Sequence, residues 1–261
     1  MTLCFHEWKR GRLSFIIWTA AIAFMLGVCV LIYPEMKSQM SEMTQMFSDM
    51  GSFSDAFGLD QLNFGEFMGY FGIECGNTLG IGGALFAAVT GITALAKEEK
   101  DRTAEFLLTH PVSRFTVVTQ KLLAVMTQVL AFNAVVAAVT MLGILAIGEE
   151  VEFGTVALLL LSYTLLQIEI AAVTFGISAF LKGNGLGIGM GLALMLYFLN
   201  IVSNLTEEAE FLKYITPFSY TDSAYIINEQ MLQAEYLAVG AVFTVLGITA
   251  AFWKYTRKDI A

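Results

Sequence analysis

Six long runs of apolar residues determine what this chain can fold into. They cover about residues 13–33, 70–96, 117–147, 155–181, 186–202 and 236–253. A helix needs about 20 apolar residues to cross the hydrocarbon of a bilayer, and each run approaches or exceeds that length. Backbone groups in lipid need partners within the same segment, and the runs lack the alternation of barrel strands, so we predict helices. The expected fold is an all-α, polytopic membrane protein with one domain over residues 1–261.

Composition supports this fold class, because 57% of the residues are hydrophobic and only 14% are charged. A soluble domain usually has about 25% charged residues. The first run follows basic residues, as in a signal peptide, but it is too long for a signal core and lacks an A-x-A site. The three cysteines are scattered, which predicts no disulfide framework and no metal site. The chain has no basic stripe, so we do not predict a nucleic-acid partner.

Positive charge predicts the direction of the spans. Twelve of the fourteen Lys and Arg residues lie before the first run, between or near the ends of the second and third, between the fourth and fifth, or after the sixth. Only Lys37 and Lys213 fall in the other loops. Positively charged loops stay in the cytoplasm, so both termini should be cytoplasmic in a multi-pass protein of a cell membrane, most simply the bacterial plasma membrane. The acidic loops at about residues 34–69 and 203–235 should face outward.

The first outer loop contains methionines at intervals of three or four residues, at positions 36, 40, 43, 46 and 50. This spacing places them on one face of a helix. Such a helix would pack on its own protein, rest among lipid headgroups, or offer an adaptable surface to hydrophobic cargo. A copper site is disfavoured, because no His or Cys lies nearby.

The segment at residues 97–116 is the most informative stretch between spans. It is rich in charge but contains an apolar patch at Phe106, Leu107 and Leu108. Thr103 is placed to cap a short helix, and Pro111 should end it, because the residue before a proline avoids helical geometry. A second helix should start near Ser113. A solvated loop is the alternative, but an amphipathic helix between two spans is better suited to docking a cytoplasmic partner.

This segment resembles the signature of the ABC-2 family of ABC transporter permeases. In that family an acidic run leads into a T-x-E turn, a leucine-rich helix, a P-V-S-R sequence and a lysine entering the third span. The matching residues here are Glu98, Glu99, Thr103, Glu105, Leu107, Leu108, Pro111, Val112, Ser113, Arg114 and Lys121. Residues 214–220, Y-I-T-P-F-S-Y, also resemble the family's P-F-x-Y segment. Arg102 departs from the pattern, since the family commonly has glycine there.

The resemblance implies partners and a mechanism. Two permeases, identical or homologous, would pair with two copies of a separate ATP-binding subunit that holds ATP and Mg. Residues 98–110 would form a coupling helix in a cleft of that subunit, and its closure would tilt the second and third spans as rigid bodies. Residues 1–12 would form an interfacial elbow helix with Phe5 and Trp8 facing lipid, and residues 182–185 would make a lesser contact.

The same resemblance assigns roles within the coupling segment. Phe106, Leu107 and Leu108 form the apolar docking patch, with Thr103 and Pro111 at the ends of the helix. Charged side chains would orient the contact; these are Glu98, Glu99, Glu105 and Arg114. The chain has no G-x-x-x-x-G-K-[ST] loop, which predicts that ATP is hydrolysed in the partner and that this chain has no catalytic residues.

Two further features lie inside the predicted spans. Glycines recur every four residues at 72, 76 and 80, at 185 and 189, and at 187 and 191. They allow close helix contacts, either within the subunit or at a dimer seam, which the resemblance places at the first and fifth spans. Glu169 lies deep within the fourth span and is therefore a candidate pathway residue. It would line a polar cavity or meet cationic cargo, or be protonated and bonded to Gln167, Gln128 or Asn133.

The sequence therefore predicts the permease subunit of an ATP-driven exporter. Its cargo would be amphipathic or hydrophobic: a peptide, an antimicrobial or a lipid-like molecule. One alternative is an intramembrane enzyme or processing factor, although no HExxH arrangement is present. Another is an ATP-independent secondary transporter, which would more often show internal repeats.

Overall fold

The computed structural model describes residues 2–48, 62–63, 65–100 and 112–257. All regular structure in these ranges is helical, and six helices are long and apolar enough to span a membrane. The prediction of an all-α, six-span protein is confirmed. The spans are Thr2–Ser48, the three-part helix that starts at Phe67, Arg114–Ile147, Phe153–Ser178, Leu186–Leu205 and Ala234–Arg257.

The second span changes its helical form partway along. It begins as the α-helix Phe67–Cys75, continues as the π-helix Gly76–Gly83, and ends as the α-helix Ala84–Lys100. Four glycines occupy the π-helical part. A π-helix of eight residues is longer than the single-turn bulge in which this form usually occurs.

The second and fourth spans form the centre of the bundle. In the most apolar window of each helix, 67% and 61% of the residues are buried, against 17–33% in the other four spans. The first span packs along the third, the fourth packs against the second and sixth, and the fifth packs against the second. Apolar side chains on the outward faces of the four peripheral spans are then available to lipid.

Contacts between distant residues define the two ends of the bundle. At one end, which we call the inner end, the first span begins near Glu7, the third span begins at Arg114, and the sixth span ends near Thr256. We call outer the opposite end, where Lys37 forms an ion pair with Glu149 at 2.9 Å. These names follow the direction that positive charge predicts.

The first span differs from the prediction at both of its ends. Thr2–Ser48 is one continuous helix with Pro34 inside it, so residues 1–12 are not set off by a turn and residues 34–48 are not a loop. A proline removes only one backbone hydrogen bond, which membrane helices tolerate when neighbouring groups compensate. The methionines from Met36 to Met46 therefore continue the first span as helix, while Met50 lies outside the described residues.

The start of this helix packs on the third span. The backbone N–H groups of Leu3 and Cys4 donate to Oε1 of Gln120 at 3.0 and 3.2 Å. Nε1 of Trp8 donates to Oγ1 of Thr127 at 2.9 Å. Trp8 thus contacts the third span, while Phe5 is 79% exposed. That both side chains face lipid stays a prediction.

The second outer loop, between the fifth and sixth spans, is largely ordered. It contains the 3₁₀ helices Glu207–Tyr214 and Ser219–Thr221 and the α-helix Ser223–Glu229. Residues 216–223, which we call the re-entrant segment, fold back among the spans. Its buried residues include Thr216, Phe218, Tyr220 and Thr221. Irregular backbone is tolerated at such a position because protein, not lipid, surrounds it.

Candidate functional site

Most of the predicted coupling segment lies outside the described residues. Thr103, Glu105, Phe106, Leu107, Leu108 and Pro111 all belong to the undescribed range 101–111. Glu98 and Glu99 lie in the last turn of the helix Ala84–Lys100, and only their backbone is described. The roles assigned to these residues remain predictions.

The described part of the coupling segment is the start of the third span. Ser113 caps this helix, and its Oγ accepts a hydrogen bond from the backbone N–H of Thr116 at 3.1 Å, so the predicted helix start near Ser113 is confirmed. Nη1 of Arg114 donates to the backbone oxygen of Thr256 at 3.5 Å. The start of the third span therefore lies against the end of the sixth span.

Lys121 connects three spans at the inner end. Its side chain is only 1% exposed, and its Nζ donates to Oε1 of Glu7 at 2.9 Å and to the backbone oxygen of Ala94 at 2.8 Å. A buried ammonium group requires such partners, because its desolvation is otherwise very costly. Sequence reasoning placed Lys121 only as a family match. Its position, a few residues into an apolar run, was the signal for a structural role.

A cavity of about 340 Å³ lies at the inner end, between the first three spans and the turn before the fifth. Its charged and amide-bearing lining residues are Glu7, Arg10, Lys97, Lys121, Gln128 and Asn184. Its apolar wall includes Phe15, Phe86, Val89, Val125 and Leu186. The cavity is thus amphipathic, with both charged groups and hydrocarbon available to a ligand.

Glu169 lies below the re-entrant segment. It is 5% exposed, and its Oε2 accepts a hydrogen bond from the hydroxyl of Tyr220 at 2.8 Å. Its carboxylate also packs against Gly240 of the sixth span, where a β-carbon would collide with Oε2. Glu169 does not line the inner cavity.

The partners predicted for Glu169 were wrong. Gln167 instead accepts a hydrogen bond from Nδ2 of Asn133 at 2.7 Å, and Gln128 lines the inner cavity. Residues two apart on a helix point about 200° away from each other, so Gln167 and Glu169 face different neighbours. Tyr220 follows Glu169 by 51 positions, and only the fold brings the two together.

Further hydrogen bonds hold the re-entrant segment in place. The hydroxyl of Tyr163 lies 3.2 Å from Oγ of Ser223, which in turn donates to the backbone oxygen of Gly72 at 2.9 Å. Oγ1 of Thr216 donates to the backbone oxygen of Leu196 at 2.8 Å. The segment is therefore bonded to the second, fourth and fifth spans.

The recurring glycines divide into two groups. A β-carbon at Gly72 would approach Ser223 to 2.9 Å, and one at Gly76 or Gly80 would contact Tyr163 at 3.5 Å, so these three pack within the subunit. In the fifth span, Gly185 and Gly189 pack against Ile92. Gly187 and Gly191 have no described residue within 4 Å of an added β-carbon, so they face away from the described part of the bundle.

The sequence reasoning did not single out a second acid within the spans. Glu74 lies in the helix Phe67–Cys75 and accepts a hydrogen bond from Sγ of Cys29 at 3.3 Å. The hydroxyl of Tyr70 donates to the backbone oxygen of Cys29 at 3.1 Å. Glu74 was overlooked because it lies about one turn inside the predicted start of the span.

Six apolar helices, an amphipathic cavity at one end and a re-entrant segment at the other define a multi-pass membrane protein with the features of a transport subunit. The family model described as ABC-2 family transporter protein matches residues 1–260, so the chain belongs to the ABC-2 family. It is accordingly a membrane permease of an ABC transporter, which works with an ATP-binding partner in the plasma membrane. No curated protein matches the chain at a significant level.

Proposed function

We propose that this permease exports an amphipathic or hydrophobic molecule, such as a peptide, an antimicrobial or a lipid-like compound. The observation that carries this proposal is the amphipathic cavity at the inner end of a chain that matches the ABC-2 family over residues 1–260. Two copies of an ATP-binding subunit, which bind ATP and Mg, drive two permeases that are identical or homologous. The outward faces of the first and fifth spans form the seam between the permeases.

In this proposal the coupling segment transmits movement of the ATP-binding subunit to the spans. Leu107 and Leu108 dock in a cleft of that subunit, and the acidic residues around them orient the contact. The ion pair between Lys121 and Glu7 and the contact between Arg114 and Thr256 support a wider response than the second and third spans alone. The inner ends of the first, second, third and sixth spans should move together.

Release of cargo requires the outer end to open. The re-entrant segment must then separate from the spans, which breaks the hydrogen bonds of Tyr220 with Glu169 and of Ser223 with Gly72. Glu169 would face the space left by Tyr220, and in that state it would be part of the cargo pathway. A carboxylate there would favour cargo that carries a cationic or hydrogen-bond-donating group.

Substitution of the docking patch tests the coupling step. We expect Leu107→Asp with Leu108→Asp to abolish co-purification of the ATP-binding subunit, because two charges would be buried in an apolar contact. Membrane insertion should be unchanged, since neither residue belongs to a span. The control is Phe211→Asp, which makes an exposed apolar residue acidic at the outer end.

Two measurements decide this test: the amount of ATP-binding subunit recovered per permease, and the ATPase rate of the complex. The control variant should keep both at the level of the unsubstituted protein. Full recovery of the subunit with the double substitution would place the docking surface elsewhere in the chain and reject the proposed mechanism.

A further inference from the structure

Two side-chain amides in the outer half of the bundle lack a described partner. Asn77 lies in the π-helical part of the second span and is exposed, and Asn200 lies in the fifth span and is half-buried. The backbone oxygen of Asn200 accepts a hydrogen bond from Oγ of Ser203 at 2.7 Å, but none of the described groups bonds to either side-chain amide. An amide without a partner is costly inside a membrane, because no water is there to replace that partner.

The two amides lie at the same level of the bundle. A β-carbon at Gly80 would lie 3.7 Å from the ring of Phe218, and the ring of Tyr197 packs on the same phenylalanine with the centroids 5.4 Å apart. Gly80 and Tyr197 are therefore level with each other. Asn77 and Asn200 each lie three residues further toward the outer end, which is roughly 4 Å along either helix.

The two amides also lie on facing sides of their spans. Gly189 of the fifth span packs on Ile92 and Ala88 of the second span, and Asn200 lies eleven residues after it, about 20° away around the helix. Asn77 lies eleven residues before Ala88. The π-helical part turns less per residue, which leaves Asn77 within about 60° of the face that meets the fifth span. The two spans are thus in close contact in their inner halves, and the amides border a cleft between their outer halves.

A second permease at the proposed seam does not supply the missing partners. That seam involves the outward face of the fifth span, where an added β-carbon at Gly191 meets no described residue. Asn200 lies nine residues after Gly191, about 180° away around the helix. Elsewhere the chain pairs two amides directly between spans, since Nδ2 of Asn133 donates to Oε1 of Gln167 at 2.7 Å. Asn77 and Asn200 form no such bond, so both amides are open to a ligand that enters the cleft.

The chemistry of the cleft favours a peptide. A carboxamide both donates and accepts hydrogen bonds, so two of them across a cleft can pair with the N–H and C=O groups of a peptide backbone. Neither amide has a net charge, and an acyl chain offers no group that could bond to them. Ile73 and Ile81 lie four residues to either side of Asn77 on the same face and are half-buried, so they offer apolar contact to aliphatic side chains.

We infer that the cleft between the second and fifth spans, which we call the amide cleft, binds a peptide backbone through Asn77 and Asn200. Ile73 and Ile81 contact the apolar side chains of that peptide. The inference narrows the proposed cargo to a peptide, and this step rests on the proposed export function. Binding itself requires neither export nor the ATP-binding subunit.

Binding to the purified permease in nonionic detergent tests the inference. The probe is N-acetyl-trileucine methylamide. The matched compound has the same side chains but methylated backbone nitrogens, so it keeps the apolar surface and has no N–H donors. We expect the unmethylated peptide to bind about tenfold more tightly in isothermal titration calorimetry, because two hydrogen bonds that each contribute about a factor of three are lost on methylation.

Variants locate the site. Asn77→Leu and Asn200→Leu should each weaken binding of the unmethylated peptide about threefold to tenfold and reduce its advantage over the methylated compound. Neither variant should lower the midpoint of thermal unfolding, because leucine leaves no described group without a partner at these positions. Asn228→Leu is the matched control, since Asn228 is an exposed amide in the outer helix Ser223–Glu229, and it should leave binding unchanged.

Several results would overturn the inference. One is equal binding of the two compounds, and another is an effect of Asn77→Leu and Asn200→Leu on binding no larger than that of Asn228→Leu. A third is a lower unfolding midpoint in the leucine variants, which would show that the amides have a structural partner in the folded protein.

The variant with Leu107→Asp and Leu108→Asp separates this inference from the proposed function. It should lose the ATP-binding subunit while it still binds the peptide. A complex that exports cargo, but whose Asn77→Leu variant binds the peptide normally, would reject the inference alone. A permease that binds the peptide through the amide cleft but exports nothing from reconstituted vesicles would reject the proposed export alone.

Discussion

The two ends of the bundle differ in how their polar groups are satisfied. At the outer end, Tyr220, Ser223 and Thr216 bond to groups of the same chain and hold the re-entrant segment against the spans. At the inner end, a cavity separates the spans and the amide of Gln128 lines it without a described partner. The outer end is closed by internal hydrogen bonds, whereas the inner end contains an open cavity.

This difference indicates that opening of the outer end in a transport cycle requires hydrogen bonds within the chain to break. Hydrogen bonds between membrane helices contribute on average about 0.6 kcal/mol each, so the few that hold the re-entrant segment set a modest barrier. In the proposed mechanism, binding of ATP by the partner subunit would supply the free energy for that step. The predictions below test the ion pair of the inner end, the closure of the outer end, and the two faces of the fifth span.

The largest expected effect comes from the buried ion pair of the inner end. Lys121→Met should lower the free energy of unfolding by about 3–5 kcal/mol, because Glu7 and the oxygen of Ala94 would lose their partner. Unfolding of the purified chain in a detergent titration measures this loss. Lys182→Met, at an exposed position in the turn before the fifth span, is the control.

A second substitution makes the Lys121 test specific. Glu7→Gln added to Lys121→Met should restore part of the stability, since an amide is less costly to leave unpaired than a carboxylate. A loss no greater than that of the Lys182 control would show that the inner end does not depend on this ion pair.

An intermediate effect is expected at the outer end. Tyr220→Phe keeps the ring but removes the hydroxyl that donates to Glu169. It should reduce the free energy of unfolding by about 1–3 kcal/mol, more than an average interhelical hydrogen bond, because the buried carboxyl group loses the partner of its Oε2. Tyr214→Phe is the matched control, because Tyr214 is 44% exposed. Equal stability of the two variants would show that the hydrogen bond does not hold the re-entrant segment.

The companion substitution Glu169→Gln separates packing from charge. The amide oxygen still accepts a hydrogen bond from Tyr220, so the variant should fold. If Glu169 meets cargo in the proposed open state, the rate of export in reconstituted vesicles should change, because the side chain at that position is no longer ionisable. Normal export by this variant would remove Glu169 from the pathway.

The smallest expected effect is the difference in stability between substitutions on the two faces of the fifth span. Gly189→Ala would place a β-carbon 2.8 Å from Cγ2 of Ile92 and 3.1 Å from the oxygen of Ala88, and should cost about 1–2 kcal/mol of stability. The β-carbon of Gly191→Ala meets no described residue, so this variant should keep the stability of the single chain or raise it slightly, because alanine favours a helix more than glycine does. Thermal unfolding of both variants measures the contrast.

The outward face can then be tested for the permease seam. Gly191→Phe should lower the dimer fraction in cross-linking experiments if that face meets a second permease, without lowering the stability of the single chain. An unchanged dimer fraction would move the seam away from Gly191.

The spans could be predicted because their signal is local. Each apolar run is long enough to cross a bilayer, and the observed boundaries differ from the predicted ones by a few residues, as at the third span, which begins at Arg114 rather than at residue 117. The first span was predicted too short, because the outer loop was placed from residue 34, whereas the helix continues through Pro34, which membrane helices tolerate.

The candidate sites depend on contacts between residues far apart in sequence, so only the individual residues could be predicted, not their pairing. Glu169 was recognised as unusual, but its partner could not be, because the re-entrant segment reaches it from another loop. The aromatic content of residues 214–220 was the available sign that this acidic loop is not simply solvated. Nothing in the sequence indicated that the side-chain amide of Gln128 would lack a described hydrogen-bond partner, since a polar residue in a span normally finds one.

The π-helical part of the second span has a consequence for how force passes through it. A π-helical turn, with i→i+5 hydrogen bonds, contains more residues than an α-helical turn. The π-helical part Gly76–Gly83 therefore determines how the side chains of Ala84–Lys100 are rotated about the helix axis relative to those of Phe67–Cys75. Gain or loss of one residue in that stretch would rotate the inner half by about 100°. In the proposed mechanism, a change of register in this stretch would rotate Phe86 and Val89 around the helix axis while Gly72 keeps its contact with Ser223.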